Sequence, residues 1–332
     1  MMARVVQFAA PRQVRVVPVP LPTPPADHQL VVRTEFSGIS AGTELLAYRG
    51  ELDSSTVLDE TLGSLPGSFR YPFSYGYSCV GRVEHGTAAI PADSPVFAFH
   101  PHQDRFTVPE ALVVPLRPDT APRLATLFPL VETALQLTLE AGPVAEETVA
   151  VLGLGTVGLL TAMLLRRAGA YVLAAEPRSW RREVAAQLGI TAVTPDELPA
   201  RVVHATGGHG VPLVVELSGQ PSALADGLAL LGHEGTALVG SWYGTKPVPL
   251  PLGAHFHRRR LTVRSSQVST IPAALQARWD VERRRAAALH LLDVLPLGPV
   301  ATTEFAFDDA AGAYAAIDRG EQGVVHVALR YE

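Results

Sequence analysis

The sequence predicts an α/β protein of two domains, one mostly β and one doubly wound on a parallel sheet, and three observations carry that prediction. The first third of the chain is a series of short Val-rich runs broken by Pro and Gly, the pattern of a compact β domain. From Thr148 onward, apolar runs without polar alternation are each followed by a helix-length segment, as in a parallel sheet covered on both faces. A glycine-rich turn joins the first such strand to its helix. The expected boundaries are 1–122 with 280–332 for the first domain and 123–279 for the second.

In the first domain, Arg4-Val5-Val6-Gln7-Phe8 and Gln29-Leu30-Val31-Val32-Arg33-Thr34 read as strands on either side of the proline-rich segment Pro18 to Pro25. Val80–Val83 and Pro95–Phe99 continue the series. Ser54–Tyr75 is a long Gly/Ser/Pro-punctuated excursion whose Phe69, Tyr71, Phe73 and Tyr75 either wall a binding site or pack a core. Helical spacing starts near Arg123 and runs to Ala141. Strand and helix then alternate: Thr148–Leu152, Gly158–Ala168, Ala170–Ala175, Arg181–Leu188, Leu213–Leu217, Ala223–Leu231 and Thr236–Val239. An Arg-rich helix (Val281–Leu292), a helix around Asp308–Asp318 and a strand Gly323–Leu329 finish the chain, the last expected to return to the first domain.

The 332 residues are 47% apolar and 18% charged, with a net charge of −5, which excludes disorder. The slightly acidic balance gives no clustered cationic surface for nucleic acid or an anionic membrane. No apolar run long enough for a signal-peptide core precedes Arg12 and Arg15, so residence in the cytoplasm and a small-molecule partner are expected. One cysteine, Cys79, excludes an intrachain disulfide and a Cys-rich zinc lobe.

Val149-Ala150-Val151-Leu152 leads into Gly153-Leu154-Gly155-Thr156-Val157-Gly158 and a helix, which is GxGxxG in the context that gives it meaning. The first glycine allows the tight turn, the second lets backbone approach a pyrophosphate, and the third lets helix and strand pack closely. Glu176 ends the next strand at about the 20-residue interval of a carboxylate that accepts hydrogen bonds from an adenosine ribose. A carboxylate there favours NAD, although Arg178, Arg181 and Arg182 beyond it leave NADP open.

Taken with Ser37-Gly38-Ile39-Ser40-Ala41-Gly42-Thr43-Glu44, Gly76-Tyr77-Ser78-Cys79-Val80-Gly81-Arg82-Val83 and Val215-Glu216-Leu217-Ser218-Gly219 before Leu238-Val239-Gly240, the chain resembles the medium-chain dehydrogenase/reductase superfamily. The first two segments are similar to the bacteriochlorophyllide 3-hydroxyethyl dehydrogenase branch. The resemblance implies a GroES-like mostly-β catalytic domain and a Rossmann domain with a doubly wound parallel sheet. It also implies Thr133, Thr156, Val157, Arg181, Ser218, Gly240 and Ser266 beside the cofactor. A homodimer formed along the Rossmann sheet edge, for which Leu261–Val268 is placed, follows from the same resemblance. Where zinc-dependent relatives carry their ligands, this chain has Ser40-Ala41, Tyr77-Ser78 and the region Pro129 to Glu132. A single carboxylate does not make a tetrahedral site, so no catalytic zinc is expected.

Hydride transfer at a carbonyl needs a proton donor or acceptor at the oxygen. The resemblance assigns that work to Thr43, Tyr77 and Glu132, with Ser40 and Glu44 beside substrate, or else Thr43 and Glu44 shape a turn and Tyr77 fills space. His100-Pro101-His102-Gln103-Asp104, if extended, presents positions 100, 102 and 104 on one face, with His100 as acid/base and His102 as a substrate contact; the alternatives are a surface turn at Pro101 and a metal site. The functions in competition are a zinc-independent NAD(H)-linked oxidoreductase that interconverts a secondary alcohol and a ketone, an NADPH-dependent C=C reductase, and a nucleotide-binding protein without turnover.

Overall fold

The protein is described by a computed structural model covering residues 2–21 and 26–332; the part of the proline-rich segment from Pro22 to Pro25 lies outside the described residues. The chain divides into Met1–Pro129 with Ala301–Glu332, and Leu130–Val300. The Arg-rich helix therefore counts with the second unit, not with the first as its position after residue 280 suggested.

The first unit opens with β1 (Met2–Ala10), β2 (Gln13–Pro20), β3 (Gln29–Ile39) and α1 (Ala41–Arg49), followed by β4 (Phe73–Ser74), β5 (Cys79–His85), β6 (Pro95–Ala98), β7 (Arg105–Pro109), β8 (Val113–Pro115) and α2 (Pro122–Ala125). β1 pairs antiparallel with β2 and β4. β3 is the long central strand, antiparallel to both β5 and β7, and it buries Leu30, Val32 and Ile39 almost completely. The excursion from Ser54 to Tyr75 turns its aromatics inward: Phe69, Phe73 and Tyr75 are buried in one cluster with Phe8, and Phe8 stacks on Phe73 with centroids 5.1 Å apart. These rings are core, which removes the aromatic wall from the candidate site.

The second unit begins within α3 (Phe128–Glu140). It then alternates β9 (Thr148–Leu152), α4 (Thr156–Arg167), β10 (Tyr171–Ala175), α5 (Ser179–Gln187), β11 (Thr191–Val193), α6 (Leu198–Thr206), β12 (Val211–Glu216), α7 (Pro221–Leu230), β13 (Leu231–Val239), β14 (Thr262–Ser265) and α8 (Val281–Val294). The helical spacing read from Arg123 is interrupted at Thr126 and Leu127, between α2 and α3. The six strands form one sheet in the order β11-β10-β9-β12-β13-β14, and every pairing is parallel. β9 shows why: Val149 to Leu152 are all buried, and covering both faces of such a strand stabilises by about 1.5–3 kcal/mol for each large apolar side chain. The order reverses between β9 and β12, so the carboxyl ends of these strands form the crevice where doubly wound sheets bind ligands. β14 is an edge strand with three of its four residues exposed.

The chain then returns to the first unit through β15 (Thr303–Ala306), α9 (Ala310–Arg319) and β16 (Val327–Arg330). β16 lies antiparallel on β3, with Ala328 opposite Gly38, so the expected return of the last strand is observed. Among the described residues, no helix is long and apolar enough to cross a membrane.

Candidate functional site

In the second unit the glycine loop sits at the switch point of the sheet. Gly153 has φ +91°, and a Cβ there would lie 2.7 Å from Ser218 Cα, so the loop and the end of β12 touch as backbones. A Cβ on Gly158 would lie 2.0 Å from Gly153 O, which only hydrogen allows. A Cβ on Gly155 would meet nothing within 4 Å. Gly155 stands at the N-cap of α4 and makes no side-chain cap, so the positive end of the helix dipole faces that open space. Loop, helix end and open space together fit a pyrophosphate. Thr156 is buried and Val157 half-buried in the first turn.

Glu176 follows β10 and is 2% exposed. Its Oε2 accepts from Leu154 N–H and its Oε1 from Arg178 N–H, each at 3.0 Å, while Arg181 Nη1 stands 3.7 Å from Oε2. The carboxylate thus pins the glycine loop as well as facing the ribose position, and each oxygen keeps a lone pair. Arg182 donates to the carbonyls of Glu176 and Pro177 at 2.8 Å. Ser218 is held by Glu216, Gly240 N–H donates to Glu216 O at 3.0 Å, and Ser266 Oγ donates to Glu140 at 2.8 Å.

Glu132, expected as a catalytic carboxylate, is corrected by the structure. It is 3% exposed, and its Oε1 accepts from Arg284 Nε and Nη2 at 3.1 and 3.0 Å. Arg284 Nη1 donates to Gln136 at 2.7 Å, and Arg285 stands 3.6 Å from the same carboxylate. Burial raises the Glu132 pKa, opposed by the two guanidiniums. Thr133 is half-buried one residue further along α3.

In the first unit, Ser40 caps α1, and the Glu44 side chain reaches back to accept the Ser40 N–H at 2.7 Å, in the manner of a capping box. Glu44 is fully buried. Its other oxygen accepts from His102 Nε2 at 2.9 Å and from the Tyr314 hydroxyl. His102 Nδ1 meets Ser37 Oγ at 2.7 Å, and Ser37 meets the Tyr331 hydroxyl at 2.8 Å. With Glu44 as acceptor, one direction satisfies every group: Tyr331 to Ser37 to His102, then His102 and Tyr314 to Glu44. Glu44 and His102, both expected to touch substrate, are instead the centre of a buried network that ties α1 to α9 and the chain's end.

The segment His100–Asp104 is not extended, which corrects the shared-face expectation. The backbone bends at His102 and again at Asp104, and the three side chains part company. His100 stacks on Phe106 with centroids 3.9 Å apart, and its Nδ1 lies 3.0 Å from Pro101 O. Burial pushes its pKa down to about 4, so the ring is neutral at pH 7. Asp104 pairs with Arg4 at 3.0 Å.

The polar groups left at this end of the unit are hydroxyls. Tyr77 is half-buried and interacts with the side chains of Ser40 and Thr43. Burial, opposed by the Ser40 hydroxyl, pushes it up to about 12, so it holds its proton at neutral pH. The positions assigned to a catalytic zinc in relatives offer hydroxyls at Ser40, Tyr77 and Ser78, nothing at Ala41, and the engaged Glu132; Ser78 Oγ already donates to Thr126 O at 2.7 Å. Among the described residues no three of His, Cys, Asp and Glu gather at one point. This donor set does not fit tetrahedral zinc.

Tyr314, Tyr331 and Tyr243 were not singled out from the sequence. Each meets its carboxylate or hydroxyl partner across a long separation, 270 residues for Tyr314 and Glu44, and no local spacing encodes such pairs.

The fold is of the alcohol-dehydrogenase-like type, as comparison with known structures shows. Residues 156–281 match the family model described as zinc-binding dehydrogenase. L-threonine 3-dehydrogenase of Bacillus subtilis (strain 168) is 29% identical over 211 residues, 62% of this chain and 58% of that enzyme; the match thus spans little more than half of the relative. Among solved structures, alcohol dehydrogenase TADH from Thermus sp. ATN1 superposes with a TM-score of 0.77 at 22% identity, covering 99% of this chain and 100% of that one. An oxidoreductase/dehydrogenase of unknown specificity from Escherichia coli gives 0.82 at 14% identity, with full coverage of both chains. These two likenesses concern the fold.

Proposed function

We propose that this chain is an NAD(H)-linked oxidoreductase that interconverts a secondary alcohol and a ketone without a catalytic zinc. The observation that carries the reading is the dinucleotide-type glycine loop, closed by Glu176, at the switch point of the parallel sheet; the resemblance puts the protonated Tyr77 hydroxyl where zinc-dependent relatives carry a ligand. Relatives support the reaction class: the names of the matched proteins include L-threonine 3-dehydrogenase and 5-exo-hydroxycamphor dehydrogenase.

When bound, NAD(H) supplies the hydride donor or acceptor. The N-terminal end of α4 would hold the pyrophosphate, and Glu176 would accept from the ribose. In the reducing direction, protonated Tyr77 gives its proton to the forming alkoxide, and the hydroxyls of Ser40 and Thr43 stabilise the phenolate left behind. Tyr77→Phe removes that donor. Ketone reduction by NADH in the presence of a chelator is expected to fall by about 10²–10⁴-fold, with NADH affinity unchanged. Full activity in Tyr77→Phe, or activity lost on chelation and restored by zinc, would sink the reading.

A second reading, an NADPH-linked C=C reductase, draws on Arg181. Its Nε is buried without a hydrogen-bond partner close to Glu176, and a guanidinium so placed suits a 2′-phosphate. Residence in the cytoplasm and pairing of two copies along the exposed edge β14 complete the proposal; a sedimentation mass of one chain would contradict the dimer.

A further inference from the structure

At the switch point of the sheet, the last residue of β12 is a carboxylate that the chemistry above does not use. Glu216 is fully buried and pairs in register with Leu152 of β9 on one side and Val239 of β13 on the other. Its Oε1 accepts from Ser218 N–H at 2.7 Å and from the Ser218 hydroxyl. Its Oε2 accepts from the Tyr243 hydroxyl at 2.6 Å. A second tie runs parallel to this one: Ser241 Oγ accepts the Gly219 N–H at 2.9 Å. Ser218 Oγ in turn accepts the Gln220 N–H at 3.1 Å, at the start of α7.

Burying a carboxylate costs several kcal/mol before its partners compensate, and an apolar residue of similar size often serves stability as well. What the carboxylate adds here is geometry. It fixes two separate strand-end loops, 217–220 after β12 and 240–243 after β13, to one rigid strand. The first of those loops is in backbone contact with the glycine loop, since Ser218 Cα lies 2.7 Å from where a Cβ on Gly153 would be. Displacing Ser218 therefore displaces one wall of the dinucleotide crevice.

We propose that Glu216 and Tyr243 are positioning residues for the dinucleotide, a hydrogen-bonded latch that holds both strand-end loops in register with the glycine loop. The inference rests on the NAD(H) reading above and deepens it. Glu176 and the first turn of α4 lie on the β10 side of the switch point, and the latch lies on the β12–β13 side. The latch thus acts on the part of the cofactor that reaches beyond the pyrophosphate and leaves the adenosine half to its own contacts.

The test is fluorescence titration of the full chain with NADH and, in competition, with ADP-ribose, which lacks the nicotinamide end. Tyr243→Phe deletes one charge-assisted hydrogen bond from a partly exposed side chain and is expected to weaken NADH by about tenfold while ADP-ribose binds as before. Glu216→Leu is expected to do the same or more. Glu216→Gln retains an acceptor for Ser218 and an amide that the Tyr243 oxygen can accept, so it is expected to rescue most of the affinity. Unchanged NADH binding by Tyr243→Phe would overturn the inference, and so would equal losses for both ligands, which mark a merely structural role. Failure of the unaltered protein to bind either nucleotide would overturn the NAD(H) reading and the latch with it.

Discussion

Replacing Gly158 by alanine is expected to abolish NADH binding, by more than about 100-fold or roughly 2.7 kcal/mol, and to destabilise the second unit as well. The cause is steric: the added Cβ would stand 2.0 Å from Gly153 O. Backbone on one side and the first turn of α4 on the other have no flexible end to yield, and forcing one extra carbon into such a contact costs about 1–3 kcal/mol. Gly155→Ala separates the two effects. Its Cβ meets nothing in the protein within 4 Å, so the melting temperature is expected to hold while NADH affinity falls, because the methyl occupies the space ahead of α4. Parallel binding curves and thermal melts of both variants check this, and a Gly155→Ala protein that binds NADH normally would show that the pyrophosphate does not approach there.

Arg284→Met carries the largest expected effect on stability. The guanidinium is 2% exposed and makes three hydrogen bonds, two to Glu132 and one to Gln136. Removing one partner of a buried ion pair leaves the other charge poorly compensated, at a cost of about 3–5 kcal/mol. For a unit of this size the melting temperature is expected to fall by on the order of 10 °C. The double variant Glu132→Leu with Arg284→Met is expected to recover most of the loss, since it removes both charges. The sign of the pH dependence follows from burial. Glu132 has a folded pKa above its ordinary value of 4.5, so the folded state holds the proton more tightly than the unfolded state does. Its contribution is most favourable at low pH and is lost as pH rises from 4.5 through the folded value. Arg284→Met removes a cation that lowers that pKa, so the deficit seen at pH 7 is expected to shrink toward pH 5. A deficit independent of pH, and not relieved in the double variant, would mean that packing rather than charge is lost.

The doubly wound unit was legible in the sequence because each level pointed the same way: apolar strands, helix-length spacers, and a glycine motif between Leu152 and α4 with an acid at the end of the following strand. The return of the last strand to the first domain was expected as well, though its pairing on β3 was not. What could not be read were the polar pairings. Glu132 carries no local sign that it is buried against Arg284, 152 residues away, and a carboxylate at the start of a helix reads equally well as a catalytic group. His100, His102 and Asp104 have the spacing of one strand face, yet the backbone bends at His102 and Asp104, and the stack on Phe106, the network with Glu44 and the pair with Arg4 then claim one side chain each. The aromatics of the Ser54–Tyr75 excursion sink into the core because Phe8 stacks against Phe73 and Phe69 packs edge-on to it. Glu216 and Tyr243 were invisible as a pair, since their contact exists only once β12 and β13 lie side by side.

A dinucleotide is expected to bind at the glycine loop without a metal, with Glu176 selecting the unphosphorylated ribose. The most direct measurement is titration of chelator-treated protein with NADH and with NADPH, followed through quenching of the tryptophan fluorescence. Saturable binding of NADH, one per chain and tighter than NADPH, is the predicted result. Saturation by neither nucleotide, or binding of NADH that appears only when zinc is restored, would contradict it.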